Sequence, residues 1–427
     1  MVLPFLALLV LLALGMPIGF AMVTASLIYM TLVGGIPLGQ VTQSMALSVD
    51  SFTILAVPLF ILAGNLMNTG GVTRRVFRFA NVLVGHLRGG LGHVCIVASM
   101  IFAGMTGAAT AEAAGLGILE IKAMRDEGYD LDFAAALTGA AATIGPIIPP
   151  SIPFVIYGVL ANCSVGALFL GGFVPGLLMG LSLMCISFYY ARKRNYPRRQ
   201  LATRRELWAS VKESFLPLQC PVIILGGIWG GIFTPTEAAS VAVVYALILG
   251  LIVYKELRPA DLPGIIKSTL VATSTVCFIV AGATLFAWIM AREQIPQQIG
   301  AFLLSLTSSP AGLLLILNLF LLVVGCFMEA IAAMTILVPI LLPIIVSVGV
   351  DPVHFGLVMT LNLMIGLLTP PVGLVLYIVS KIADMSFGRL ARATAPFLVP
   401  LLIVLALITY IPQLVLWLPN LLLRRGL

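Results

Sequence analysis

The chain has 427 residues, of which 61% are hydrophobic and only 9% charged. Soluble globular chains carry about 25% charged residues. With a mean hydropathy of +1.15, this composition excludes a soluble enzyme, a nucleic-acid binder and a disordered chain. What fits is an all-α polytopic membrane protein, a single integral membrane domain over residues 1–427, in which the net charge of +7 reports topology, because basic loops stay cytoplasmic.

The first apolar stretch, Leu3–Val33, has no basic n-region and is expected to remain as a span with the N-terminus in the cytoplasm. Phe52–Asn68 is the next. Arg74–Arg88 (RRVFRFANVLVGHLR) has the pattern of an amphipathic surface helix with a basic face; a solvated loop is the alternative. Gly90–Met124 is too long for one crossing of about 20 residues. Its middle, VASMIFAGMTGAATAEAAGLG, is small and polar. That pattern suits a re-entrant hairpin, whose non-helical tip needs protein or a water-filled cavity around it; a kinked span is the other reading. Leu131–Ala161 contains IGPIIPP, and Ser164–Tyr190 is a plain span.

Arg192–Arg205 holds seven basic residues and no acidic one, which places the loop 191–206 in the cytoplasm. Phe215–Phe233 and Thr236–Tyr254 follow, with Glu237 in FTPTEAAS placed to favour a first helical turn behind Thr234 or Thr236. Ile266–Ala291 runs to Arg292–Glu293, either an interfacial ion pair or a gate facing substrate. Ala311–Val346, with LLVVGCFMEAIAAMTILVP at its middle, is a second candidate hairpin. Val353–Lys381 contains IGLLTPP, and Thr394–Leu423 is the last apolar stretch. The six cysteines are scattered, with no CxxC pair, and are expected to be free thiols.

IGPIIPP at Ile144–Pro150 matches IGLLTPP at Ile365–Pro371, and the same offset of 221 (365 − 144, 325 − 104) carries Gly104 onto Gly325. The chain is thus expected to contain a duplicated unit of hairpin plus Pro-broken helix, spanning 90–161 and 311–381. Interrupted segments at matching positions of two halves point to a transporter's binding site. Counting crossings outward from the basic loop makes the repeat inverted. Hairpin 1 then opens to the cytoplasm, hairpin 2 to the outside, and the C-terminus is periplasmic. All basic residues except Arg292, Arg424 and Arg425 fall inside.

Proline pairs remove backbone donors, so the carbonyls of Gly145–Ile148 and of Gly366–Thr369 are candidate cation ligands. A cage of carbonyls lacking a full carboxylate suits Na⁺ better than Mg²⁺. Each hairpin's second arm begins at mid-membrane, and its helix N-terminus favours an anion such as a carboxylate. Thr106, Glu329 and Arg292 are the candidate substrate-binding side chains. Glu112 and Glu329 are each expected to orient a tip or pair with a buried donor, since an unpaired intramembrane carboxylate is costly.

VDSFTILAVPLFILAGNLM, LEIKAMRDEGYD, IGPIIPPSIPFVIYG, GGIFTPTEAA, GCFME and IGLLTPPVG together resemble the large membrane subunit of TRAP (tripartite ATP-independent periplasmic) transporters, the DctM-like family, over nearly the whole chain. The resemblance implies an elevator-type, Na⁺-driven importer in the bacterial inner membrane, not an enzyme. It implies two partners: a small membrane subunit and a periplasmic binding protein delivering a small-molecule carboxylate of C4-dicarboxylate or sialic-acid type. It also implies one Na⁺ site from carbonyls near Ser99, Ala103, Gly145 and Ile148, and another near Gly325, Gly366, Thr369 and Val372. Two departures weaken side-chain roles: the first tip reads AGMTGAA where relatives are hydroxyl-rich, and Glu329 stands where relatives often have Asp. A stand-alone Na⁺ symporter, or an intramembrane enzyme using Glu112 and Glu329, are the competing readings; the second lacks a nucleophile or metal triad.

Overall fold

A computed structural model describes residues 3–34, 36–307 and 309–423. Helices dominate it. The antiparallel bridge between Arg88 and Arg198 is the one β-type contact among the described residues. Among the described residues, seven helices are long and apolar enough to cross a bilayer.

The apolar stretch Leu3–Val33, long and proline-containing, is two helices, α1 (Leu3–Ala13) and α2 (Ile18–Val33). Gly15 turns left-handed (φ +82) and Pro17, at the N-cap of α2, ends the run. The helix α3 (Gly39–Val49) was not expected from its mixed composition; it packs on a long later span. α4 (Ala56–Thr69) and α5 (Val72–Val84) match the sequence expectation, and α5 buries Val72, Val76 and Ala80 while exposing Arg74 and Arg78.

Next come α6 (Gly90–Thr106) and α7 (Ala109–Asp126), separated only by Gly107 and Ala108. Gly107 adopts φ +62, and its O accepts from Ile152 N at 3.3 Å, tying the break to the second half of the broken helix. That helix is α8 (Leu131–Ala142) and α9 (Ile152–Ala161), interrupted over 143–151. Then α10 (Val165–Lys193) spans the core.

The following span starts earlier than expected, as α11 (Arg204–Trp229), because Thr203 and Glu206 form a capping box. α12 (Pro235–Leu247) is capped by Thr234, whose N–H donates to Glu237 Oε2 at 2.7 Å, and continues as a π-helical turn to Val253. α13 (Leu262–Arg292) precedes α14 (Ile295–Leu306), a short helix absent from the sequence expectation. α15 (Pro310–Phe327) and α16 (Ala330–Ser347) are parted by Met328 and Glu329. α17 (Pro352–Gly366) and α18 (Leu374–Ile382) flank the second Pro–Pro break. The last apolar stretch, also proline-containing, divides at Ile411–Pro412 into α19 (Phe387–Tyr410) and α20 (Gln413–Leu423). Arg424 and Arg425 lie outside the described residues.

The 221-residue offset recurs in the helix bounds: α7 (109–126) maps onto 330–347, the bounds of α16. Packing is reciprocal as well. α7 packs on α18 while α16 packs on α9, and α8 packs on α19 while α17 packs on α10. Each hairpin's second arm is therefore braced by the other half's broken helix.

Candidate functional site

Both hairpin breaks open into one cavity of about 600 Å³. Ala108–Ala111 line it from the first, Phe327–Glu329 from the second, and Pro146, Met364 and Leu367 from the broken helices. The facing wall belongs to α2, α4 and α13 and contributes Asn65, Ser268 and Thr275. Asn65 Nδ2 donates to Thr269 Oγ1 at 3.0 Å, which orients its amide toward α13. No Lys, Arg or His is among the lining residues. Those three wall residues did not stand out in the sequence, though a polar side chain inside an apolar span is the signal that marks them.

The two helix N-termini at this cavity differ. Ala108, in extended conformation, precedes α7 and offers no side-chain cap. The first amides of α7, around Ala109–Ala111, therefore have no side-chain acceptor from the N-cap and face the cavity. Glu329 caps α16 itself: its Oε2 accepts from Ile331 N at 2.8 Å and Ala332 N at 3.2 Å. The expectation that both N-termini present positive charge to an anion is thus met in geometry only at the first, since at the second the chain supplies its own carboxylate.

Of the candidate substrate-binding side chains, only Glu329 lines the main cavity. Thr106 is buried beside it, in a smaller adjoining pocket of about 240 Å³ with Asn68 and Gly115, and its hydroxyl donates to Phe102 O at 3.5 Å. Thr110, across the break in the first turn of α7, reaches the cavity instead. Arg292 is exposed at the far end of α13, its guanidinium 5.6 Å from the Trp288 ring. The structure does not bring it to the cavity, nor does it pair it with Glu293, which accepts from the Tyr29 hydroxyl.

Several of the candidate carbonyls lack donors. Around the first Pro–Pro pair, Gly145 O and Ile148 O accept no hydrogen bond among the described residues, while Pro146 O accepts from Ser151 Oγ. Ala103 O loses its helical partner where Gly107 turns left-handed. In the second half Gly325 O, Thr369 O and Val372 O are likewise without donors, whereas Gly366 O accepts from Thr369 N at 2.9 Å. The Cys326 carbonyl takes up Val372 N (3.2 Å) and Gly373 N (3.3 Å), holding the second tip against its break.

Glu112 departs from expectation. It is 1% exposed, and neither oxygen has a hydrogen-bond partner among the described residues. Its carboxylate lies against the backbone of Gly145, where a Cβ would collide with it, and beside the Ser99 hydroxyl, also unpartnered. Ser99, Gly145 and Glu112 therefore converge, so a buried carboxyl group stands next to the first carbonyl set. Glu120, two turns along α7, is a second buried carboxylate, which nothing in the sequence pattern singles out; it sits near Cys95 and Thr138.

A multi-pass helical membrane protein with two hairpin breaks and two broken helices around one largely apolar cavity that carries a few polar side chains is built as a transporter. The chain belongs to the DctM family: the family described as "Tripartite ATP-independent periplasmic transporter, DctM component" matches residues 5–414. It is 50% identical, over 96% of each chain, to the sialic acid TRAP transporter large permease protein SiaM of Vibrio cholerae. It is 43% identical to the sialic acid TRAP transporter permease protein SiaT of Haemophilus influenzae, over 97% of this chain and 67% of that one. The C4-dicarboxylate TRAP transporter large permease protein DctM of Pseudomonas aeruginosa is 44% identical over 87% of each. These relatives are permeases, not enzymes. Among solved structures the fold matches the Alcanivorax borkumensis YdaH transporter (TM-score 0.59, 14% identity, 83% and 85% of the two chains) and Neisseria gonorrhoeae MtrF (TM-score 0.59, 11% identity, 87% and 83%).

Proposed function

We propose that this chain is the permease subunit of an elevator-type, Na⁺-coupled importer of an organic carboxylate in the bacterial inner membrane. It works with a small membrane subunit and receives its substrate from a periplasmic binding protein. The observation that carries this reading is the pairing of donor-less carbonyls (Gly145 and Ile148; Gly325, Thr369 and Val372) with two breaks facing one cavity that lacks basic residues. Na⁺ suits such carbonyl sets, and the Glu112 carboxyl group lies beside the first.

One uncapped helix N-terminus matches one carboxylate, and the hydroxyl and amide groups of Thr110, Ser268, Thr275 and Asn65 suit a polyhydroxylated remainder. A sialic-acid-type monocarboxylate fits this better than a compact dicarboxylate, and the identity to SiaM points the same way.

An inverted arrangement is supported by the contacts at each end of the broken helices. Asp132 at the start of α8 pairs with Arg389 at the start of α19 (2.8 Å), just past the end of α18. Tyr157, near the end of α9, donates to Pro352 O at the start of α17 (2.7 Å). The mouth of hairpin 1 meets the basic loop through Arg199–Glu127 and Arg198–His86. Positive charge then gathers on the cytoplasmic side, with the N-terminus inside.

The test is uptake into proteoliposomes holding this chain and the small subunit, with a binding protein, an inward Na⁺ gradient and labelled sialic acid, succinate and neutral sugars. Na⁺-dependent uptake of sialic acid is expected. Uptake without Na⁺ would overturn the carbonyl sites, and uptake by this chain alone would make it a stand-alone symporter.

A further inference from the structure

A second cavity, of about 670 Å³, lies far from the hairpin breaks, where the C-terminal end of α10 meets the starts of α8 and α19. Its floor is aromatic. Phe133, Tyr190 and Phe397 stand in mutual contact, with centroids 5.9–6.1 Å apart. Its rim carries three guanidiniums, Arg194, Arg389 and Arg392.

Two of these charges are already matched. Arg194 pairs with Asp130 and Arg389 with Asp132, each at 2.8 Å. Arg392 has no carboxylate partner among the described residues; its Nε only donates to Gly388 O at 3.3 Å. The pocket is therefore left with a single positive charge over an apolar floor. Below it, about two and three turns along the same face of α19, Val399 and Ile403 are more than half exposed. Phe188 and Tyr189 on α10 are exposed beside Arg192 and Lys193, the mix of aromatic and basic side chains found at a membrane boundary.

We infer that this cavity binds the headgroup of an anionic phospholipid. The phosphodiester, with one negative charge, meets Arg392, the glycerol end rests on the aromatic floor, and the acyl chains run down the exposed apolar face of α19. Basic pockets between membrane helices on the cytoplasmic side recognise headgroups in this way. A phosphate monoester, with close to two charges, would exceed the one positive charge left. The site is separate from the transport cavity and does not depend on what is transported.

The experiment uses the full chain, delipidated in detergent, with lipid retention read by native mass spectrometry and by shift of the thermal midpoint. The probes are phosphatidylglycerol, phosphatidylcholine and the soluble diester glycerophosphoglycerol. Wild type is expected to prefer phosphatidylglycerol over phosphatidylcholine. Arg392→Gln is expected to lose about five-fold of that preference, as one surface arginine is worth. Arg292→Gln, which removes an equal charge outside the pocket, keeps it. Arg392 is exposed, so the lipid-free midpoint of its variant should match wild type and serves as the folding control. Equal retention of both lipids, or an unchanged preference in Arg392→Gln, overturns the site. Displacement by glycerophosphoglycerol at low millimolar concentration overturns the lipid as its occupant.

Discussion

The Glu329 carboxyl group closes on the amide of Ile331 at 2.8 Å, occupying the N-terminus of α16 with an acceptor from the chain itself. An oxygen so engaged fills the helix N-terminus that a substrate would otherwise use, so the carboxyl group holds the tip. Glu329→Gln keeps an acceptor and should fold normally, with no rise in KM for the substrate acid. Glu329→Ala removes the cap and should cost about 0.5–2 kcal/mol of stability, read as a lower thermal midpoint. A large rise in KM for Glu329→Gln would mark a substrate contact instead.

Gly325 and Gly366 bring α15 and α17 together backbone to backbone. A Cβ on Gly325 would lie 3.0 Å from Gly366 Cα and 3.4 Å from Leu363 O. Backbone cannot swing away as a side chain can, so the methyl must push the second hairpin off its break. Overpacking of this kind costs about 1–3 kcal/mol. Gly325→Ala should therefore weaken Na⁺ dependence of uptake by about ten-fold or more, measured as the half-saturating Na⁺ concentration. Gly226, where an added methyl would meet nothing within 4 Å, is the control: Gly226→Ala should leave transport unchanged.

At the other end of the molecule Asp130 Oδ2 accepts from the Tyr196 hydroxyl at 2.7 Å and from Arg194 at 2.8 Å, clasping the basic loop to the start of α8. The Tyr196 bond, more than Arg194, holds the Asp130 carboxyl below its usual range, against a smaller opposing effect of burial. Burial first, then Asp130, pushes the Tyr196 hydroxyl up to about 12. A depressed acid stabilises the fold above its unfolded pKa of about 3.9, and a raised phenol below its unfolded value of about 10. The clasp should hold steadily between these limits, weakening as pH falls through the lowered Asp130 pKa or rises through about 12. Hydrogen exchange in residues 194–203, corrected for intrinsic rates, should be flat through neutrality and rise in acid. Asp130→Asn should raise exchange at neutral pH and remove the acid step.

Much of this architecture is legible in the amino-acid order because its determinants are local. The Pro149–Pro150 and Pro370–Pro371 pairs remove donors wherever the chain places them; the tips, matched in sequence at Gly104 and Gly325, break three residues later, at Gly107, which turns left-handed (φ +62), and at Met328. Thr234 and Glu237 announce their capping box at fixed spacing. The short helices α3 and α14 were not legible, since neither is long enough to span and each is held by tertiary packing against α13 or α16. The site was harder still. Arg292 is adjacent in sequence to a core span, yet the length of α13 carries it to the exposed end. Asn65, Ser268 and Thr275 meet the hairpins only through long-range packing that no spacing encodes.

A buried amide network should set how rigidly hairpin 2 moves with its broken helix. Asn362 Nδ2 donates to Asn318 O at 2.9 Å and Asn318 Oδ1 at 2.8 Å, and Asn318 Nδ2 donates to Thr409 Oγ1 at 2.9 Å. This links α15, α17 and α19 where the equivalent positions of the first half, Val97 and Ala141, are apolar. Hydrogen bonds between membrane helices average about 0.6 kcal/mol and reach about 1.7. Because both bonds from Asn362 converge on one residue, the coupling here should lie in the upper part of that range. A double-mutant cycle of Asn318→Leu and Asn362→Leu, read by unfolding in lipid-detergent micelles, should give a coupling of about 1–1.7 kcal/mol. Additive single effects would mean the network does not bind the hairpin to α17, and the two elements could then move apart during transport.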